Sequence, residues 1–141
     1  MELTKDYLSS HGIRPSAQRI AIMDYLLTHK THPTVEEIYA ALVPLMPTLS
    51  KTTLYNTLKL FYDKKVALML NIDEHTTRFD GDVQPHAHFQ CLKCGTVYDI
   101  FEPELPELRS VYKQKIGDLN ITSVELSYKG LCAHCEQDNS N

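Results

Sequence analysis

Apolar residues recur at helical spacing along the first half of the chain, and then the period changes. Residues 3–11 read as a short helix closed by Gly12. After a loop at Arg14-Pro15-Ser16, Ser16 is placed to cap a second helix. That helix carries Ile20, Met23 and Leu27 on one stripe, with Ile22 and Leu26 beside it, and stops near His29 and Lys30. Thr34-Val35-Glu36-Glu37 has the form of a capping box, with Thr34 as cap and Glu37 reaching back. The helix it opens carries Val35, Ile38, Tyr39 and Leu42, and Pro44 and Pro47 end it. Ser50 then caps a third strong helix with Leu54, Leu58 and Phe61 inward. Val66, Leu68, Leu70 and Ile72 alternate as a strand does. Asp73 to His75 can turn the chain, and Thr76 to Phe79 can return it.

Asp-Val-Gln-Pro at 82–85 reads as a linker. Beyond it, His88 to Cys91 and Thr96 to Phe101 read as strands. Pro103 to Ile116 reads as a helix with Leu105, Leu108 and Tyr112 inward and Gly117 closing it, and Ile121 to Tyr128 as a last strand leading to Gly130. The pattern predicts an α+β chain: an N-terminal winged-helix domain over 1–81, a hinge at 82–85 and a small α/β domain over 86–141. The second domain is too short for a large core, so a metal staple or a partner subunit is expected.

In a winged helix the third helix enters the major groove of double-stranded DNA and the hairpin touches the backbone. The helix after Ser50 offers Lys51, Thr52, Thr53, Tyr55, Asn56 and Lys59 on its outer face, groups that reach phosphates and base edges. Arg14 and Arg19 are the other candidate DNA contacts. An ordinary solvated helix face would look similar.

Charge changes this picture only a little. The net charge is −4, but residues 1–65 hold 8 Lys and Arg against 6 Asp and Glu, whereas residues 66–141 hold 6 against 12. A +2 first half is weakly favourable to DNA, and a −6 second half suits cations. No apolar run is long enough to span a bilayer and no signal-peptide pattern opens the chain, so a cytoplasmic protein is expected.

The cysteines change it a great deal. All four lie in two C-x-x-C pairs, Cys91 with Cys94 and Cys132 with Cys135. In a reducing compartment such pairs point to a closed structural Zn2+ site worth on the order of 10 kcal/mol of folding free energy. Rubredoxin-like iron, or two disulfides in a secreted chain, are the competing readings. His86 and His88 are two apart and share a strand face. Four thiolates already fill the first site, so the histidines imply a second, and iron or manganese there would need carboxylates such as Asp80 and Asp99. His32 precedes the capping box, and spacing alone does not link it to them. His11, His29, His75 and His134 read as solvated.

These stretches carry a resemblance. His32-Pro33-Thr34-Val35-Glu36-Glu37-Ile38-Tyr39, Thr53-Leu54-Tyr55-Asn56-Thr57-Leu58, Arg78-Phe79-Asp80, His86-Ala87-His88-Phe89-Gln90-Cys91 and the C-x-x-C pairs are similar to those of the ferric uptake regulator family, over almost the whole chain. Within it the chain looks most like the peroxide-responsive repressors. The resemblance implies a homodimeric repressor of a DNA operator, with the C-terminal domain dimerising. It joins His32 to Asp80, His86, His88 and Asp99 as one regulatory Fe2+ or Mn2+ site across the hinge. One ion held by all five would set the angle between domains, and so the match of two recognition helices to successive half-sites.

Asp at 80 and 99, where iron-uptake members more often resemble Glu, and Asn56 after Tyr55, where they more often have Arg, favour the peroxide type. The implied mechanism is that iron-bound protein exposed to peroxide oxidises His32 or His86, loosens the metal and releases DNA, whereas the manganese form represses but does not respond. An iron-uptake repressor is the alternative. Pro85, Ala87 and Val124 stand where many relatives carry a further metal site, so two sites per subunit are expected. A metalloenzyme is disfavoured because five ligands leave little room for substrate and no separate nucleophile or general base is evident. A zinc-stabilised interaction module explains the cysteines but not the His/Asp set.

Overall fold

The structure is a computed structural model that describes residues 2–71 and 76–139; the expected turn at Asp73 to His75, Ile72 and the last two residues of the polar tail lie outside the described residues. It divides into two compact units, Met1–Val83 and Gln84–Asn141.

The first unit runs α1 (Glu2–Ser10), α2 (Ala17–Thr28), α3 (Val35–Leu42), α4 (Lys51–Asp63), β1 (Leu68–Leu70) and β2 (Arg78–Asp80). Its helices begin where the caps predicted. Ser16, Thr34 and Ser50 each accept a hydrogen bond from the backbone N–H three residues on. In the box at Thr34 the Glu37 carboxylate accepts from the Thr34 hydroxyl at 3.3 Å. Ile22, Met23, Leu26, Ile38, Leu54, Leu58, Phe61 and Phe79 are fully buried in one core. Leu27 closes the stripe of Ile20 and Met23 at the surface. It is 36% exposed, because the buried arc of α2 is centred on Leu26 and Leu27 is rotated about 100° away.

β1 and β2 pair antiparallel, Met69 opposite Phe79. The chain leading into α3 joins this hairpin as well. Phe79 N–H donates to the Pro33 carbonyl at 2.9 Å, and Thr34 bridges Arg78. Thus residues distant in sequence, on either side of α3 and α4, become neighbours. Gly81 ends the hairpin against α2. A Cβ there would lie 2.8 Å from the Leu26 carbonyl oxygen, so only glycine fits this approach.

The second unit is built on β3 (Ala87–Cys91), β4 (Val97–Ile100) and β7 (Ser127–Gly130), in the order β4-β3-β7. β3 runs antiparallel to β4 and parallel to β7. Between them lie α5 (Leu108–Val111) and a small hairpin, β5 (Lys115–Ile116) and β6 (Leu119–Asn120); α6 (Ala133–Asn139) follows. The expected helix over Pro103 to Ile116 is therefore a single turn. Pro106 cannot donate in a helix interior and clashes with the preceding turn, so turns fill 102–107. Gly117 does not close a helix. With φ of 57° it opens the Gly117-Asp118 turn of the β5–β6 hairpin. The last strand is also shorter than expected, starting at Ser127.

Few apolar side chains are buried in this unit: Ala87 and Leu108, with Cys91 and Cys135. Leu92, Ile116 and Leu119 are more than half exposed. Its thin core calls for the staple that the cysteines offer.

Gly81→Ala is expected to destabilise the full-length protein by about 1–3 kcal/mol, the usual cost of overpacking; urea unfolding of purified protein checks it.

Candidate metal centres and nucleic-acid face

The four cysteine sulfurs come from the end of β3, the turn after it, and the N-terminal end of α6 with the loop before it. All four are free thiols, and their sulfurs lie within 4.8 Å of one another. Cys94 and Cys132 Sγ are 4.0 Å apart, which excludes a disulfide between them. Zinc–sulfur bonds of about 2.3 Å in a tetrahedron put sulfurs roughly 3.8 Å apart, so the cluster fits. Its electrostatics fit too. N–H donation from Cys94 and Cys132 holds the Cys91 thiol down at about 5, so it is ionised at neutral pH. Burial pushes Cys135 up to about 12, and its sulfur neighbours push the same way. A divalent cation removes that conflict by balancing the charge of all four thiolates.

On the other face of the same sheet, His88 on β3 stands opposite Asp99 on β4. His86 Nε2 and His88 Nε2 each lie 3.4 Å from Asp99 Oδ1. Metal bonds of about 2.1 Å at angles of 90–109° separate ligand atoms by roughly 3.0–3.4 Å. His86 is fully buried and its ring is fixed from several sides. Nδ1 lies 2.6 Å from the Gln84 carbonyl, which assigns the proton to Nδ1 and leaves Nε2 as the lone-pair donor. Phe101 stacks on the ring at 5.1 Å, and the Tyr112 hydroxyl donates to the His86 carbonyl.

The first unit supplies a second pair. His32 Nε2 lies 3.6 Å from Asp80 Oδ2, both side chains buried. Spacing could not link them; the pairing of residues 33–34 with β2 does. Asp80 is held by the Asp82 N–H at 2.9 Å on its other oxygen. His32 has φ of 57°, an uncommon left-handed conformation for a side chain, and Arg78 donates to its carbonyl at 3.2 Å. Gln84, Phe101, Tyr112, Arg78 and Gly81 thus support these groups. By helical spacing Tyr112 reads only as core, and apart from Arg78, which lies in the Arg78-Phe79-Asp80 stretch, no local motif marks these residues.

His11, His29 and His134 are exposed, as expected; His75 lies outside the described residues. On α4, Lys51, Thr52, Thr53, Tyr55, Asn56 and Lys59 are all exposed. Thr53 is partly occupied, since Ser50 Oγ donates to its hydroxyl at 2.9 Å. Lys51 Nζ sits 5.4 Å over the Tyr39 ring. Lys51, Thr52 and Tyr55 share an open cleft of about 870 Å³ with Thr76, Thr77 and Arg78 of the hairpin. Arg14 is exposed, while Arg19 is half-buried and donates to the Arg14 carbonyl at 2.9 Å, bracing that loop. Among the described residues, no helix is long and apolar enough to cross a membrane.

The model of the ferric uptake regulator family matches residues 10–129. The peroxide-responsive repressor PerR of Staphylococcus epidermidis is 36% identical over 131 residues, covering 93% of this chain and 87% of that one. The solved structure of Helicobacter pylori Fur, described as having three functional metal binding sites, is similar with a TM-score of 0.71 at 20% identity, covering 96% of this chain and 90% of that one; this likeness shows the fold alone. PerR from Streptococcus pyogenes, solved to explain peroxide sensing and gene regulation, has a TM-score of 0.51 at 26% identity, covering 92% and 88%. By the extent of the family match and the identity to its curated members, this chain belongs to the ferric uptake regulator family.

Proposed function

We propose that the chain is a metal-dependent, DNA-binding transcriptional repressor that senses peroxide by oxidation of a ligand histidine. Its parts are a DNA-binding domain over 1–81, a hinge at 82–85 and a metal-binding dimerisation domain over 86–141. Cys91, Cys94, Cys132 and Cys135 hold structural zinc. His32, Asp80, His86, His88 and Asp99 together hold the regulatory Fe2+ or Mn2+.

The observation that carries this reading is the shared Asp99 oxygen, 3.4 Å from both His86 Nε2 and His88 Nε2. A carboxylate oxygen facing two imidazoles, one of them with its ring fixed from behind, is a ligand arrangement. The His32–Asp80 pair supplies the same chemistry from the DNA-binding unit. Occupancy by one ion needs both halves and therefore restrains the hinge, the two-state element of the switch. When bound, ferrous iron would supply an electron to peroxide and with it oxidising power beside the imidazoles. The protein's part is to hold His32 and His86 within reach of it. An imidazole that gains an oxygen atom coordinates poorly, the restraint is lost, and DNA is released. Similarity to peroxide-responsive repressors and the aspartates at 80 and 99 support this over an iron-uptake role. The outward groups of α4 and the cleft beside the hairpin, which Lys51 and Arg78 line together with Glu36, support operator binding, with Lys51, Thr52 and Tyr55 near the phosphates.

Protein loaded anaerobically with Fe(II) and then treated with peroxide is expected to gain one oxygen on peptides carrying His32 or His86, and the Mn(II) form to gain none; peptide mass spectrometry checks it. Unmodified histidines with metal-dependent DNA binding intact would point to an iron-uptake repressor. Asp99→Glu moves the carboxylate by about one bond length. It is expected to retain metal-dependent DNA binding and to slow histidine oxidation by on the order of 10- to 100-fold, measured by the same mass shift over time.

A further inference from the structure

The cysteine sulfurs are not equally sheltered. Cys91 and Cys135 are buried, whereas Cys94 is exposed and Cys132 is part-exposed. Each of the two reachable sulfurs has a side-chain hydroxyl beside it. Thr96 Oγ1 lies 3.2 Å from Cys94 Sγ. The Tyr98 hydroxyl lies beside the Cys132 sulfur and acts on it electrostatically. Thr96 and Tyr98 are two residues apart at and beside the start of β4, so both project to the face that carries Cys91. The Tyr98 ring, tilted against Phe89 at 6.2 Å, is positioned by cross-strand packing. Cys91 is served differently, by the backbone N–H groups of Cys94 and Cys132 at 3.5 Å.

With all four sulfurs ionised around a cation, only the hydroxyls carry protons, so Thr96 donates to Cys94 and Tyr98 to Cys132. Each bond occupies a sulfur lone pair and stabilises its negative charge. We propose that Thr96 and Tyr98 are positioning residues that shield the two accessible zinc thiolates from electrophilic oxidants, hydrogen peroxide above all. The inference rests on the four-cysteine site holding zinc. The reaction opposed begins when a thiolate attacks one peroxide oxygen: the O–O bond breaks, hydroxide leaves and a sulfenic acid forms. A second thiolate then attacks that sulfur, expels hydroxide and closes a disulfide. Two electrons pass from sulfur to peroxide, and two ligands are lost to the ion. A protein meant to react with peroxide at one centre needs its other centre to survive that encounter, and the two hydroxyls supply a local means.

The test uses zinc-loaded full-length protein with no regulatory metal, so it does not depend on histidine oxidation. Zinc release under hydrogen peroxide is followed with a chromogenic chelator for wild type, Tyr98→Phe and Thr96→Val. Phe keeps the ring against Phe89, and Val keeps the branched shape at 96. Each variant is expected to lose zinc roughly fivefold faster under peroxide, the factor that one hydrogen bond to an anion can supply. Release to chelator without peroxide, and thermal melting, are expected to stay at wild-type values, and Thr96→Ser to restore the slow rate. Equal rates under peroxide would overturn the inference and leave the zinc site standing. Faster release without peroxide would also overturn it, because the hydroxyls would then be structural. Absence of zinc from the wild-type protein would overturn both the inference and the zinc assignment.

Discussion

Four sulfur atoms within 4.8 Å of one another repel as thiolates and cohere only around a cation. The C-terminal unit depends on that balance. Its buried apolar side chains are few, its hairpin strands β5 and β6 are exposed, and β3 and β7 are joined in sequence only through a long excursion. The cysteines tie the ends of those parallel strands together where Cys91 stands beside Gly130. A structural ion there contributes folding free energy directly, in the way a larger core would elsewhere.

The same sheet then serves two chemistries on two faces. Phe89, Cys91 and Tyr98 lie on one face, and His88 and Asp99 on the other. A rigid β3–β4 pair fixes the imidazoles relative to the carboxylate, and the backbone contacts of His86 fix its tautomer. Loss of zinc would therefore disturb the histidines through the strands they share with the cysteines. In the first unit the corresponding constraint is the pairing of residues 33–34 with β2. It sets His32 beside Asp80 and requires glycine at 81, where the hairpin passes α2.

The N-terminal helices were legible because their signals are local. Ser16, Thr34 and Ser50 cap them, and Leu54, Leu58 and Phe61 fall at helical spacing. The C-terminal unit was less so. Leu105, Leu108 and Tyr112 keep helical spacing across Pro106, but a missing donor outweighs an apolar stripe. Gly117-Asp118 is a hairpin signal that stands where a helix end would also place a glycine. The cysteine pairs and the His-x-His could be read as chemistry from spacing alone. The partnership of His32 with Asp80, the Gln84 and Tyr112 contacts to His86, and the hydroxyls beside the sulfurs arise from tertiary pairing, to which no local periodicity gives access.

We propose that one regulatory ion is shared by His32, Asp80, His86, His88 and Asp99. Mn(II) binding to the zinc-loaded protein tests it most directly, measured by calorimetry for wild type, Asp80→Asn, Asp99→Asn and the double variant. One tight Mn(II) per subunit is expected, lost in either single variant, with the double variant no worse than the singles, because groups that act on one ion are non-additive. A tight site that survives either substitution, or losses that add as independent terms, would contradict it.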